Sequence, residues 1–302
     1  MQVRKLPVAQ GLAWFRATVD LGARNPKAVF GAALLFILVL YGLAIVLTVV
    51  AMALTSTGTP SPMTFLVVFV PLFIGMMVLL PILIGGLMHV IREAESGRPV
   101  RARDLFAPFS NGRAKGLAAL GALQIVFAIL GGMLMVAIAG PNYWSEYVTA
   151  MRAAMGGALP VMPEPSHPGL LLLVQIAFNY FTYAIMLLSV PLVMFSGAKL
   201  MDAVMASLRA SVQNIGANLV AAVLFVLGTI AAAIAAGLLV WIASLLGALV
   251  HQMVATVLSM AIMLAFGAVL LVVLAGGAYL AWRDTFDAPG TQPPPSFGGI
   301  EA

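Results

Sequence analysis

The first apolar segment of the chain extends from Ala28 to Leu54 and contains no charged residue. A helix needs about 20 apolar residues to cross the hydrocarbon core of a bilayer, so this segment is long enough to span a membrane. Five more segments of similar length and polarity follow along the chain. The six predicted spans are Ala28–Leu54, Met63–Ile91, Gly116–Gly140, Gly169–Ser196, Asn218–Ala243 and Ala255–Trp282.

Composition excludes a water-soluble fold. Hydrophobic residues make up 63% of the 302-residue chain and charged residues only 8%, whereas soluble domains carry about 25% charged residues. Polar and apolar residues do not alternate within the spans, which excludes a membrane β-barrel. We therefore predict an all-α, polytopic membrane protein. Residues 28–282 form its transmembrane domain, residues 1–27 a cytoplasmic N-terminal segment and residues 283–302 a disordered cytoplasmic tail.

Polar segments that precede the odd-numbered spans share a common plan. In the first of them, Val8, Leu12, Phe15 and Val19 recur at helical spacing, which predicts an amphipathic helix in the membrane interface. Each of the three segments ends near an asparagine, and a span follows within a few residues. These repeat-marking residues are Asn25, Asn111 and Asn214. Three such entries, each followed by a returning span, predict three helical hairpins.

The distribution of basic residues predicts the orientation. All but one of the 15 Lys and Arg residues lie in segments on one side of the predicted spans, and the exception is Arg152. Because cytoplasmic loops are enriched in Lys and Arg, both termini are expected in the cytoplasm. The protein has a net charge of +5. Because its basic residues flank the spans, membrane lipids are favoured over nucleic acid as the binding partner. The opposite loop, Pro141–Pro168, is predicted to place Tyr143, Trp144 and Tyr147 at the outer interface. Its second half, which contains Pro160, Pro163, Pro165 and Pro168, is predicted to be extended.

No catalytic, metal-binding or cofactor-binding pattern is visible in the sequence. The chain has no cysteine, and no acidic or basic residue falls inside a predicted span. Proton-coupled pumps, ion-coupled carriers and voltage sensors commonly depend on such intramembrane charges. We therefore predict a non-enzymatic protein without metal or cofactor.

Polar residues in the spans form one constellation. Gln175, Asn179 and Tyr183 repeat every four residues and share a helix face, with Thr182 beside them and Gln124 on the third span. Two interpretations are open: hydrogen bonds that hold helices together, or the lining of a polar interior.

Two further sets of residues are candidates for function. The basic loop after the second span is a candidate contact for anionic lipid headgroups, although its charges can equally serve only to set the topology. Its cations are Arg92, Arg98, Arg101, Arg103, Arg113 and Lys115. Prolines inside the second and fourth spans predict helix bends at Pro71, Pro81 and Pro191.

The recurring entry motif resembles that of a group of bacterial six-helix inner-membrane proteins. It reads FRATVDLGARN at Phe15–Asn25 and SLRASVQN at Ser207–Asn214, while LFAPFSN at Leu105–Asn111 departs from it through Pro108. The group is uncharacterised and is related to the YciC-like proteins and to the membrane domain of some glycerophosphodiester phosphodiesterases. The resemblance, over about residues 8–285, implies the fold and an inner-membrane location, without catalytic residues or a substrate.

Two functions remain open at this point. The first is a structural, lipid-associated or partner-binding protein of the inner membrane. The alternative is a permease or channel for a small uncharged or amphiphilic solute, in which the bent second and fourth spans would move.

Overall fold

The computed structural model describes residues 3–55, 62–155, 157 and 159–286. This part of the chain forms ten α-helices and one short 3-10 helix, and it contains no strand. In chain order the elements are α1 (Gln10–Val19), α2 (Pro26–Thr55), α3 (Pro62–Glu95), the 3-10 helix η1 (Ala102–Phe106), α4 (Ala107–Ser110), α5 (Ala114–Ala139), α6 (Tyr143–Met155), α7 (Pro168–Ser196), α8 (Leu200–Gln213), α9 (Ile215–Ala248) and α10 (Gln252–Phe286).

Six of these helices are long and apolar enough to cross a membrane: α2, α3, α5, α7, α9 and α10. The prediction of a helical, multi-pass membrane protein is thus confirmed. The turn between the last two spans comprises residues 249–251, inside the region where the sequence predicts it. Helix α10 continues to Phe286, past the predicted start of the tail. The rest of the tail lies outside the described residues.

Helix α6 is a feature that sequence analysis missed. The sequence yields no prediction of secondary structure for the first part of the loop between the third and fourth spans, where Tyr143–Met155 is helical. Glu146 in its first turn and Arg152 in its last turn both interact favourably with the helix dipole. Pro141 precedes the helix and the next proline is Pro160, so no proline interrupts Tyr143–Met155. Residues 159–165, which contain Pro160, Pro163 and Pro165, are not helical.

Consecutive spans run antiparallel. Gly116, near the start of α5, lies against Val193, near the end of α7. Gly131, farther along α5, lies against Phe178, which comes earlier in α7. The contacts between α9 and α10 show that these two helices also run in opposite directions. The starts of α2, α5 and α9 therefore gather with the ends of α3, α7 and α10. We call this end of the bundle the basic end, because the loops that it carries contain the cationic segments of the chain.

The hydrophobic core lies in the half of the bundle next to the basic end. There the C-terminal halves of α3, α7 and α10 pack against one another. Leu83, Leu87 and Leu192 are fully buried, and Trp282 is 1% exposed. The other half of the bundle leaves its apolar side chains on the surface, where lipid is the natural solvent; Leu238, for example, is 57% exposed.

Each short helix at the basic end packs either on two consecutive spans or on one span of such a pair. Helix α1 contacts α9 and α10, η1 contacts α2 and α3, and α8 contacts α7. Pro108 falls in the single turn of α4, which is why this segment forms a 3-10 turn and an α-turn in place of one longer helix.

The face of α1 that packs against the protein is not the apolar face that the sequence assigns to the membrane interface. The structure buries Gly11, Trp14 and Thr18, whereas Val8 is 57% and Val19 73% exposed. Gly11 is the reason for close packing, because a β-carbon there would collide with the backbone of α9. The small residue, and not the apolar spacing, determines which face turns inward.

The prolines that were expected to bend the spans do not end them. Pro71 and Pro81 lie inside α3, and Pro191 lies inside α7. Each helix continues through its prolines, since a single missing amide donor leaves the neighbouring turns hydrogen-bonded. The bends themselves stay a prediction.

Two glycines of α5 provide a matched test of helix packing. A β-carbon on Gly121 would collide with the backbone of Met77 and Val78 in α3, whereas one on Gly132 would meet no atom within 4 Å. We expect Gly121→Ala to destabilise the fold by about 1–3 kcal/mol, because the helices must separate. Gly132→Ala is the control and should leave stability unchanged or slightly raised. Thermal unfolding in detergent measures both, and equal shifts for the two variants would contradict the packing.

Candidate functional site at the basic end

The cations predicted to contact lipid divide into two groups by exposure. Arg98, Arg101, Arg103 and Lys115 are exposed, while Arg92 and Arg113 are half-buried. The division matters because a cation that is already engaged by protein groups is less available to a lipid headgroup.

Three of the predicted cations have partners within the protein. The guanidinium of Arg92 lies over the ring of Phe195, 4.7 Å from its centroid, a geometry that favours a cation–π interaction. The Arg113 guanidinium lies against Gly197, which ends α7 with φ of +64°. Arg98 donates to Glu93, with 2.7 Å between Nη2 and Oε1. This hydrogen bond raises the pKa of Arg98 above its usual value.

The remaining cations face outward. Within the described residues, the side chains of Arg103 and Lys115 make no hydrogen bond or ion pair. Arg101 is exposed, and its backbone amide donates to Asp104 Oδ2 at 2.8 Å, which fixes the start of η1. Lys27 is exposed at the start of α2, which contacts η1. Sequence analysis left Lys27 out of the lipid-contact set, although its position directly before a span was a usable signal.

Aromatic rings fill the space where α7 and α10 end. The ring of Phe195 lies 4.9 Å from that of Trp282 and 6.1 Å from that of Tyr279. Trp282 Nε1 is buried and has no hydrogen-bond partner among the described residues. Arg92 covers the cluster from α3. The three helices are therefore sealed by side chains at this end.

His89 and Glu93 lie near this cluster on α3. Their closest nitrogen and oxygen atoms are 4.0 Å apart, beyond hydrogen-bond distance. The described residues contain no group of three or more His, Cys, Asp or Glu side chains that could hold a metal ion.

Asn214 fastens the N-terminal segment to the bundle. It separates α8 from α9 and is 3% exposed. Its Oδ1 accepts the Leu6 amide at 2.8 Å, and its Nδ2 donates to the Arg4 carbonyl at 2.9 Å. The Arg4 amide in turn donates to the Thr285 carbonyl at 2.9 Å. One side chain thus satisfies both the donor and the acceptor of an extended backbone segment.

The other two repeat-marking asparagines differ from each other. Asn25 Nδ2 donates to the Val100 carbonyl at 3.4 Å, and its Oδ1 accepts the Ala28 amide at 3.3 Å. Asn111 is exposed, and its side chain has no hydrogen bond within the described residues. The sequence reveals that these asparagines recur, but their long-range partners are visible only in the structure.

Asp284 is a residue that sequence analysis did not single out. Its Oδ2 accepts hydrogen bonds from Trp14 Nε1 and from Gln10 Nε2, both at 2.9 Å. Its Oδ1 accepts from Arg283 Nε at 2.9 Å. The carboxylate therefore holds α1 against the end of α10. No local pattern connects residues so distant in the chain.

The five polar residues singled out in the spans differ in exposure. Gln175, Asn179 and Tyr183 lie on an exposed face of α7, while Thr182 and Gln124 are half-buried. No hydrogen bond joins these five side chains to one another within the described residues.

Other polar groups connect the spans instead. Tyr180 Oη donates to the Ser211 carbonyl at 2.9 Å and lies 3.4 Å from Asn218 Nδ2, which joins α7 to α8 and α9. The hydroxyls of Ser189 and Ser207 are 2.9 Å apart.

Comparison with known proteins gives no family assignment. No protein-family model matches the chain, and the searches of curated proteins and of solved structures return no match.

The two asparagines with different environments allow a controlled test. Asn214→Ala removes the acceptor of the Leu6 amide and the donor to the Arg4 carbonyl, so we expect a loss of about 1–3 kcal/mol in stability. The N-terminal segment should also become more sensitive to protease. Asn111→Ala, at an exposed site, should change neither property. Thermal unfolding and limited proteolysis in detergent measure both; a loss of equal size in the two variants would refute the role of Asn214.

Proposed function

We propose that the chain is a non-enzymatic membrane protein that binds the headgroups of anionic lipids with the exposed cations of its basic end. In this proposal it lies in a bacterial inner membrane with both termini in the cytoplasm. The observation that supports it best is the group of exposed side chains Lys27, Arg101, Arg103 and Lys115 next to the starts of membrane-length helices.

The physical basis is the surface potential of the cytoplasmic leaflet. Anionic lipids attract a Lys or Arg near the membrane surface with about 1 kcal/mol per charge. Cations that face outward can contribute this energy in full, whereas Arg92, Arg98 and Arg113 already interact with Phe195, Glu93 and the Gly197 segment. The lipid contact that we propose is therefore narrower than the set predicted from sequence, and it includes Lys27.

The arrangement of the basic end supports a repeat organisation. Each interface element packs on the hairpin that comes before it in the chain, and α1, which comes first, packs on the last hairpin. Thus η1 packs on α2 and α3, α8 on α7, and α1 on α9 and α10. The Asn25 side chain donates to the backbone just before η1, and the Asn214 side chain donates to the backbone just before α1. We take the chain as three hairpin repeats closed into a ring, which is also the basis for relating it to the six-helix inner-membrane proteins.

A permease or channel has less support. That function would need a polar passage between α3, α7 and α10. Their packed halves instead meet through buried Leu83, Leu87 and Leu192, and aromatic rings close the basic end. A filled base of this kind suits a scaffold that holds lipids or partners at the membrane surface.

Substitution of the outward-facing cations tests the proposal. Arg103→Gln should weaken retention of phosphatidylglycerol or cardiolipin by about fivefold, and the triple variant with Arg101→Gln and Lys115→Gln by about 100-fold, since each charge contributes about 1 kcal/mol. Native mass spectrometry of protein released from nanodiscs of defined composition measures the retained lipid.

The control is Arg152→Gln, which removes a cation from α6, in the loop at the other end of the bundle. It should leave the retention of anionic lipid unchanged. The proposal fails if the triple variant retains anionic lipid like the unmodified protein, or if the Arg152 variant loses as much as the Arg103 variant.

A further inference from the structure

A groove with a volume of about 140 Å³ lies between the C-terminal end of α1 and the two spans α9 and α10. Its lining is almost entirely apolar and includes Phe15, Val19, Phe225, Gly228, Phe266 and Val269. Val19 is 73% and Val269 47% exposed, so the groove opens to the outside of the bundle. We call it the α9–α10 groove.

Small residues on α9 create the groove. Gly228 and Ala232 are four residues apart and share a face of the helix. A β-carbon on Gly228 would lie 2.9 Å from the ring of Phe15, so the glycine lets this ring approach α9. Thr18 also lines the groove, but its hydroxyl already donates to the Phe15 carbonyl at 2.7 Å. The space beside the ring is therefore suited to hydrocarbon, since apolar cavities of about 150 Å³ stay dry and admit groups the size of benzene.

Helix contacts place the groove at the depth of lipid acyl chains. Lys27 is exposed at the start of α2, and Ile37, ten residues farther on, lies against Gly267 of the antiparallel α10. Lys27 is thus level with about residue 277 of α10. Residues 266–273, which contribute to the groove, lie about 6–17 Å deeper at 1.5 Å per residue. Half of the hydrocarbon core is about 15 Å thick, so the groove lies in the leaflet next to the basic end.

Two opposite charges on α1 flank the mouth of the groove. Arg16 precedes Val19 by three residues and Asp20 follows it directly, and both charged side chains are exposed. Neither makes a hydrogen bond or an ion pair within the described residues, although their spacing of four would allow one. Arg24, the next cation along the chain, donates instead to the Glu95 carbonyl. Arg16 and Asp20 are therefore both available to a ligand that carries a negative and a positive charge.

We propose that the α9–α10 groove binds one phospholipid with a phosphoethanolamine headgroup. One acyl chain lies in the groove between α9 and α10. The lipid phosphate accepts hydrogen bonds from the Arg16 guanidinium, and the ammonium, which has three N–H donors, donates to the Asp20 carboxylate. This site is distinct from the cations Arg101, Arg103 and Lys115, which need only an anionic headgroup. It requires that α9 and α10 span the membrane, and it is independent of anionic lipid binding in the loop after α3.

Photolabelling in nanodiscs tests the position of the acyl chain. The probe is phosphatidylethanolamine with a diazirine in the middle of one acyl chain, diluted in phosphatidylcholine. Mass spectrometry of the peptides should place the label on residues 228–232 of α9 and 266–273 of α10. Ala232→Phe should lower this labelling by about fivefold or more, because the larger ring occupies the space of the chain. Ala233→Phe, at the next exposed position of α9 and outside the lining, is the control and should leave it unchanged.

Two further substitutions test recognition of the headgroup. Asp20→Asn should lower labelling of the groove by the phosphatidylethanolamine probe by about fivefold, without weakening labelling by the matching phosphatidylglycerol probe, which has no ammonium. Arg16→Gln should weaken labelling by both probes, because both contain the phosphate. Arg209→Gln removes an exposed cation from α8 and should change neither. Thermal unfolding of each variant shows that the fold is retained.

Two outcomes would overturn the proposal. In the unmodified protein, equal labelling of the groove and of the exposed surface around Leu238 would show an ordinary shell of lipid, and this comparison needs no variant. An equal response of both probes to Asp20→Asn would show that the ammonium is not recognised. The triple variant of Arg101, Arg103 and Lys115 should label the groove normally, so a failure of this site and a failure of anionic lipid binding are separate results.

Discussion

Hydrocarbon offers no hydrogen bonds, and this constraint explains the architecture of the chain. Six helices satisfy their own backbone groups across the bilayer. The described polar contacts between distant segments lie where helices meet at the basic end, or they are short contacts between hydroxyl or amide groups. Asn214 and Asp284 show the consequence: each satisfies several donors or acceptors at once, and together they hold residues 4–14 against helices near the end of the chain.

The bundle is unevenly packed along its length. Next to the basic end, Leu87, Leu192 and Trp282 are buried among three converging helices, and the interface helices cover the outside of this base. Farther away, the spans expose apolar side chains such as Leu238. Side chains thus fill the base of the bundle near Phe195, whereas the distal halves present an apolar surface.

Local pattern was enough to predict the spans, the turn between α9 and α10, and the recurrence of Asn25, Asn111 and Asn214, because each depends on composition or spacing within one segment. Tertiary contacts were not predictable. The inward face of α1 depends on the close approach of Gly11 to α9 and on the distant Asp284. The roles of Arg92 and Arg98 depend on Phe195 and Glu93. Gln175 and Asn179 are exposed on α7, and their spacing contains no information about how the other helices pack around it.

Labelling of single cysteines across the membrane tests the central claim most directly. Ser145→Cys places a thiol on α6 and Ser110→Cys places one at the basic end, both at exposed sites of a cysteine-free chain. In intact spheroplasts, a membrane-impermeant maleimide should label position 145 at once and position 110 only after permeabilisation. Labelling of both positions from outside, or of position 110 alone, would contradict six crossings with the basic end in the cytoplasm.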